Sequence, residues 1–209
     1  MGVRLSVATG IFRGYTYEQV RVAAGVLLDS RHVRNMEITL NTEGAFETIR
    51  RIVDEFGGRL NIGAGTVLDL EGLKRAADCG ARFALAPDMM TQEMLDYCRE
   101  NDIVSVPGGY TPSEIRELFR RGADVVKVFP ANELSHGYAR KVCEPMGDLP
   151  LMAVGGVNAE NVVEVIEGGY AYVGTAGGIF RKADLVACDE GALRASLEIF
   201  DRELDRLTA

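Results

Sequence analysis

The sequence has little lysine, no long apolar run and no excess of positive charge, and these absences exclude several classes of protein. The formal net charge is −8, which disfavours a nucleic-acid backbone or an anionic membrane as a partner. The apolar runs extend over only a few residues, too short to cross a bilayer. No charged and then apolar leader opens the chain, so we expect a protein that is not secreted.

The four cysteines also lack the spacing of metal ligands, since they are scattered along the chain at Cys79, Cys98, Cys143 and Cys188. We interpret them as reduced thiols of a cytoplasmic protein. Linkers and low-complexity segments are missing too. At 209 residues, with 47% hydrophobic and 26% charged content, the chain is long enough for a sizeable core. Residues 1–209 are therefore expected to form a single domain.

What is present is an alternation of short apolar runs with amphipathic stretches. Eight runs are predicted as strands: 5–12, 33–40, 60–64, 82–87, 103–107, 124–129, 150–154 and 172–174. Stretches of helical spacing lie between them, and 189–207 is predicted as a last helix on the outside. This alternation indicates an α/β fold with a parallel sheet, and eight strands close a TIM (β/α)8 barrel. The alternative is an open doubly wound sheet, although no glycine-rich dinucleotide loop follows the first strand.

Lys127 is the most informative single residue. Only four lysines accompany nineteen arginines, and Lys127 lies inside the apolar run 123–130. Burial penalises the ammonium form and lowers the pKa, which leaves a neutral amine able to attack a carbonyl. Alternatively, Lys127 extends to solvent at a strand end or pairs with a buried acid.

Strand alternation supplies a candidate acid. If Lys127 points into the barrel, Val125 and Phe129 do so as well. In the second strand Glu37 shares one face with Thr39 and Asn41. Glu37 either forms an ion pair with Lys127 or carries protons beside a Schiff-base lysine, and both can hold at different stages of a cycle.

Turn residues follow other strands at the carboxyl-terminal rim, where barrel active sites lie. Thr66 follows the third predicted strand, and Pro87 ends the fourth. Gly155 and Gly156 follow the seventh strand, and 174–178 follows the eighth, in the positions of the usual phosphate-binding loops. Glycine pairs in such loops are common turn chemistry and are weak evidence alone.

Five motifs, in this order, resemble the KDPG/KHG aldolase family over about positions 11–182. The family comprises 2-dehydro-3-deoxy-6-phosphogluconate and 4-hydroxy-2-oxoglutarate aldolases and the phosphogalactonate branch. The motifs are Glu37-Ile-Thr-Leu-Asn-Thr42, Gly63-Ala-Gly-Thr-Val-Leu68, Val106-Pro-Gly108, Val126-Lys-Val-Phe-Pro-Ala131 and Ala153-Val-Gly-Gly-Val157.

The resemblance implies a class I aldolase without a metal or other cofactor. Lys127 would form a Schiff base with a 2-oxo acid, and Glu37 would carry protons. Thr66 would bind the carboxylate, and Phe129 would pack beside the imine. The substrate would be a 2-keto-3-deoxy sugar acid, with or without phosphate, or 4-hydroxy-2-oxoglutarate, and it would give pyruvate and an aldehyde. The family also implies a homotrimer.

Two departures from the family pattern concern substrate binding. The phosphogluconate branch has a carboxylate-binding Arg where this chain has Asn41, whereas the phosphogalactonate branch pairs Asn with an Arg matching Arg13. The serine that usually binds phosphate in the last loop is replaced by Gly177 or Ala176. We therefore predict weak phosphate recognition. Asp88 adds a negative charge near the rim, unless it caps the next helix.

Two alternatives to an aldolase remain open at this point. One is a phosphosugar epimerase or synthase on the same barrel, because similar strand motifs recur there. The other is a metabolite-binding barrel that has lost its activity together with its phosphate site.

Overall fold

Eight parallel strands alternate with helices in the computed structural model, which describes residues 3–207. The strands are β1 (Ala8–Phe12), β2 (Val33–Thr39), β3 (Asn61–Gly65), β4 (Phe83–Leu85), β5 (Val104–Val106), β6 (Val126–Val128), β7 (Leu151–Val154) and β8 (Tyr172–Thr175). The helices are α1 (Tyr17–Leu27), α2 (Ala45–Phe56), α3 (Leu70–Asp78), α4 (Gln92–Glu100), α5 (Pro112–Arg120), α6 (Tyr138–Met146), α7 (Val162–Glu167), α8 (Lys182–Val186) and α9 (Glu190–Asp205). Each predicted run therefore overlaps one strand.

The sheet closes into a barrel. The strand order is β5-β4-β3-β2-β1-β8-β7-β6, and backbone hydrogen bonds join its two ends. The Val125 amide donates to the Ser105 carbonyl at 3.1 Å, and the Lys127 amide donates to the Pro107 carbonyl at 2.9 Å. The Gly109 amide donates to the Lys127 carbonyl at 2.9 Å. The predicted TIM barrel is confirmed, and the alternative of an open sheet is wrong.

Two apolar cores lie on the two sides of this sheet. The inner core fills the barrel with side chains of Leu5, Ile11, Phe83, Leu85, Val106, Val125, Met152 and Val154. Val126 and Val128 belong instead to the outer core between sheet and helices. This confirms the alternation predicted for β6.

Threonine side chains cap the amino-terminal ends of α4 and α5. Thr111 and Glu114 form a capping box at the start of α5, with the Glu114 carboxylate accepting from the Thr111 amide at 2.8 Å. At α4 the capping residue is Thr91, whose hydroxyl accepts from the Met94 amide at 3.3 Å. The interpretation of Asp88 as a helix cap is therefore wrong.

The last helix, α9, packs on the outside of the barrel as predicted. Its Asp201 is 1% exposed and accepts hydrogen bonds from the Ser30 hydroxyl and the Arg31 amide, each at 2.8 Å. These bonds tie α9 to the segment between α1 and β2. Across residues 3–207, no helix combines the length and apolar character needed to span a membrane.

Candidate active site

Lys127 and Glu37 line one cavity of about 300 Å³ at the carboxyl ends of the strands. Lys127 is the central residue of β6, and its residue exposure is 4%. Glu37 lies in β2 with an exposure of 1%. Both side chains alternate with residues of the outer core, which is why they point inward. One acidic and one basic side chain thus enter the barrel from different strands.

The carboxyl group of Glu37 has few partners. Its Oε2 atom is buried and accepts no hydrogen bond from residues 3–207. Burial raises the pKa of Glu37 from 4.5 to about 7, against the opposing influence of the Lys127 and Arg13 charges. A carboxyl group with this pKa exchanges protons readily near neutral pH.

The pKa of Lys127 is shifted in the opposite direction to that of Glu37. Burial lowers the pKa of Lys127, and the positive charge of Arg13 lowers it further, whereas the Glu37 and Asp88 carboxylates raise it. The Nζ atom lies 5.0 Å from the centroid of the Phe129 ring. Because the pKa is lowered, a larger fraction of the amine is neutral and nucleophilic than for an exposed lysine.

The wall opposite these side chains consists mostly of backbone. Gly155 and Gly156 adopt left-handed conformations, with φ of +108° and +71°, and Gly177 lines the same cavity. The Thr175 hydroxyl donates to the Val157 carbonyl at 2.6 Å and accepts from the Gly178 amide at 2.8 Å. That hydroxyl therefore links the two loops to each other.

Asn161 supports the first of these loops from behind. Its Nδ2 donates to the Gly156 carbonyl, and its Oδ1 accepts from the Asn158 amide, each at 2.9 Å. Asn161, which does not line the cavity, thus helps to fix the shape of the loop.

The structure places the ten predicted site residues in three groups. One cavity contains Lys127, Glu37, Arg13, Phe129, Gly155, Gly156 and Gly177. Thr66 and Asn41 line a separate depression of about 310 Å³ on the rim. Pro87, which follows β4, lines neither of them.

Asn41 departs from its predicted position for a local reason. β2 ends at Thr39, and the chain turns there, so the strand alternation that linked Glu37 to Asn41 no longer applies. The Asn41 residue is exposed on the rim. The prediction that it lies on the same inward face as Glu37 is wrong.

Sequence reasoning missed three groups at the site. Thr175 and Asn158 line the cavity beside the glycines, and their positions directly after strands could have indicated this. Gly65 lies under the Glu37 side chain, and no pattern within β3 alone indicates this contact. Two larger surface grooves, of about 580 and 630 Å³, contain none of the predicted site residues. Within residues 3–207, no three His, Cys, Asp or Glu side chains are grouped as potential metal ligands.

A closed eight-stranded barrel with its ionisable groups at the carboxyl ends of the strands is the architecture of TIM-barrel enzymes. Comparison with known sequences narrows this class. The chain belongs to the KDPG and KHG aldolase family, whose sequence model matches residues 14–192. It is therefore an aldolase, a lyase that breaks carbon–carbon bonds.

Individual relatives agree with this assignment. The chain is 30% identical over 178 residues to 2-dehydro-3-deoxy-6-phosphogalactonate aldolase of Escherichia coli (strain K12), covering 84% of this chain and 85% of that protein. It is 35% identical over 133 residues to 2-dehydro-3-deoxy-phosphogluconate aldolase of Pseudomonas aeruginosa, covering 63% and 59%. A solved structure described as native KDPGal matches with a TM-score of 0.85 at 26% identity, covering 98% of this chain and 100% of that one.

Proposed function

We propose that this aldolase is a class I enzyme in which Lys127 forms a Schiff base with the ketone of a 2-oxo acid. The observation that carries the proposal is a buried lysine whose pKa is lowered, in one cavity with a buried glutamate whose pKa is raised. A neutral amine is the nucleophile that imine formation requires, and a carboxyl group that titrates near neutrality can give and take the protons.

The steps follow from these two groups. The Nζ of Lys127 adds to the C2 ketone, and the resulting carbinolamine loses water with a proton from Glu37 to give the protonated imine. Glu37, now ionised, takes the proton of the C4 hydroxyl while the C3–C4 bond breaks and its electron pair moves into the imine. The aldehyde leaves, and an enamine of pyruvate remains on Lys127. Glu37 returns the proton to C3, and water then hydrolyses the imine to release pyruvate.

The rest of the cavity would hold the substrate's two ends. Arg13 supplies a positive charge close enough to alter the pKa of both Glu37 and Lys127, and we assign it to an anionic substrate group. The glycine loops at 155–156 and 176–178 would receive the far end, since backbone amides can bind an anion without a hydroxyl. Carboxylate binding by Thr66, and contacts from Asn41 and Pro87, stay predictions.

The proposed substrate is a 2-keto-3-deoxy sugar acid, with or without phosphate, or 4-hydroxy-2-oxoglutarate. The names of the E. coli and P. aeruginosa relatives support the first group. Arg13 together with Asn41 follows the pattern of the phosphogalactonate branch. We further propose that residues 1–209 form one domain that assembles as a homotrimer in the cytoplasm.

Pyruvate release tests the proposal. The purified chain is incubated with phosphorylated and unphosphorylated 2-keto-3-deoxy sugar acids and with 4-hydroxy-2-oxoglutarate, and pyruvate is detected with lactate dehydrogenase. We expect release from at least one of them, unaffected by a metal chelator and lost in Lys127→Met. Release that persists in Lys127→Met, or that a chelator abolishes, would contradict the class I mechanism.

A further inference from the structure

The inner face of β3 carries no side chain at Gly63 and Gly65, and side chains of neighbouring strands occupy the space. Gly63 and Gly65 alternate with Ala64, which belongs to the outer core. A Cβ atom added at Gly63 would lie 2.4 Å from ring atoms of Phe83. A Cβ atom added at Gly65 would lie 1.5 Å from Oε1 and 2.6 Å from Cγ of Glu37. The space above Gly65 is therefore occupied by the glutamate side chain.

Backbone conformation does not explain this glycine. The φ of Gly65 lies outside the left-handed region that favours glycine, unlike that of Gly155 or Gly156. Gly65 is in regular parallel register with Thr39 of β2, and β-branched and other residues are readily accommodated in such strands. Glycine within a strand often marks the close approach of another group, and here that group is the Glu37 carboxyl.

We propose that Gly65 is a positioning residue for Glu37, because its missing side chain leaves the space in which the carboxyl group must lie to exchange protons with the substrate. The proposal rests on the proposed function, in which Glu37 carries those protons. Steric fit against Gly65 would hold the carboxyl group in place of hydrogen bonds, since Oε2 of Glu37 accepts no hydrogen bond from residues 3–207. No hydrogen bond from these residues therefore restrains that oxygen.

The substitution Gly65→Ala should displace the carboxyl group without unfolding the chain. The new methyl group overlaps Glu37 from Cγ outward, so a small adjustment of the carboxyl end is not enough. The adjoining cavity of about 300 Å³ gives the displaced side chain somewhere to go. We therefore expect a folded protein whose Glu37 lies nearer to solvent.

Gly63→Ala is the matched control on the same strand. Its methyl group would overlap the ring of Phe83, which is 0% exposed and packed in the inner core. No cavity adjoins that ring among those described around the site, so overpacking should destabilise the fold. The two variants should thus differ in kind: Gly65→Ala affects turnover, and Gly63→Ala affects the melting temperature.

The experiment measures kcat, melting temperature and the titration of Glu37 by carboxyl infrared or 13C NMR spectroscopy. For Gly65→Ala we expect kcat to fall on the order of 10²-fold, the pKa of Glu37 to move towards its ordinary value, and the pyruvate adduct on Lys127 still to form. In a Glu37→Ala background every side-chain atom that the added methyl group would overlap is absent, so Gly65→Ala should cost far less kcat there.

Two results would overturn the proposal: an unchanged Glu37 titration in Gly65→Ala, or the same fold loss of kcat in both backgrounds. Failure of the proposed function looks different. In that case the parent protein forms no pyruvate adduct, while Gly65→Ala still shifts the titration of Glu37. If the Gly65→Ala protein does not fold at all, the Gly65→Ala/Glu37→Ala protein decides. The proposal requires this double variant to fold, and its failure to fold would show that the added methyl group clashes with something other than Glu37.

Discussion

The two ends of the cavity are built in different ways. At one end the groups are buried side chains, Lys127 on β6 and Glu37 on β2, whose positions follow from strand alternation. At the other end the wall is the backbone of the glycine loops at 155–156 and 176–178. Side chains on strands are tightly constrained, whereas loops vary in shape and sequence. The side chains proposed to carry the chemistry are therefore held more firmly than the loops proposed to bind the far end of the substrate.

The largest expected effect comes from removing the nucleophile. Lys127→Met keeps the apolar volume of the side chain but eliminates the amine, so turnover should fall by roughly 10⁴-fold or more. Steady-state pyruvate release checks this. Lys182→Met, on the exposed start of α8, is the matched control and should retain parental turnover. Equal losses in both variants would contradict the special role of Lys127.

Glu37→Gln tests whether Glu37, which lies at the same end of the cavity as Lys127, carries the protons. Glutamine keeps the shape of the residue above Gly65 but cannot exchange protons, so kcat should fall by about 10²–10⁴-fold. The pyruvate adduct on Lys127 should still accumulate, although more slowly. A variant with parental kcat would show that another group carries the protons.

The same substitution should change how stability depends on pH. Because burial raises the pKa of Glu37 from 4.5 to about 7, the folded chain retains a proton that the unfolded chain releases between these values. This contribution to stability is complete below pH 4.5 and is lost as the pH rises through about 7. The loss is roughly 3 kcal/mol at most.

Urea unfolding across this pH window compares the parent protein with Glu37→Gln. The parent should lose stability as the pH rises, and the variant should lose less, since glutamine does not titrate. Parallel stability curves would indicate that the carboxyl group of Glu37 has an ordinary pKa.

The smallest expected effect concerns the end of the cavity that the glycine loops form. Sequence reasoning predicts comparable turnover of phosphorylated and unphosphorylated substrates, because the usual serine is missing. A Cβ atom at Gly177 meets nothing within 4 Å, and its φ lies outside the left-handed region, so Gly177→Ser is sterically allowed. The added hydroxyl should shift the ratio of kcat/KM towards the phosphorylated substrate by about tenfold, which is the value of one hydrogen bond to a charged group.

Gly177→Ala is the control for this change, because it adds the Cβ atom without the hydroxyl. It should leave the substrate ratio unchanged. A strong preference of the parent protein for phosphate would contradict the prediction of weak phosphate recognition and would assign that binding to the loop backbone.

The fold could be predicted from the sequence because its signals are local and repeated. Apolar runs marked all eight strands, although β4 covers only Phe83–Leu85 within the predicted run 82–87. Alternation also placed Lys127 and Glu37 correctly in one cavity. It failed at Asn41, because the strand ended two residues earlier and the chain turned.

Other features of the site depend on contacts between distant segments. The Glu37 side chain lies over Gly65 of the next strand, and no pattern within either strand alone shows that approach. Asp88 influences Lys127 across the rim, whereas its position before α4 suggested a helix cap. Loop surfaces such as Gly155–Gly156 are held by Asn161 from outside the cavity, so their shape could not be derived from their own residues.

Trapping with borohydride is the most direct test of imine formation by Lys127. The protein is incubated with pyruvate, reduced with sodium borohydride, digested and analysed by mass spectrometry. We predict a reduced pyruvyl adduct on the peptide that contains Lys127, and no adduct in Lys127→Met. An unmodified Lys127 under conditions in which the enzyme releases pyruvate, or an adduct on another lysine, would contradict the mechanism.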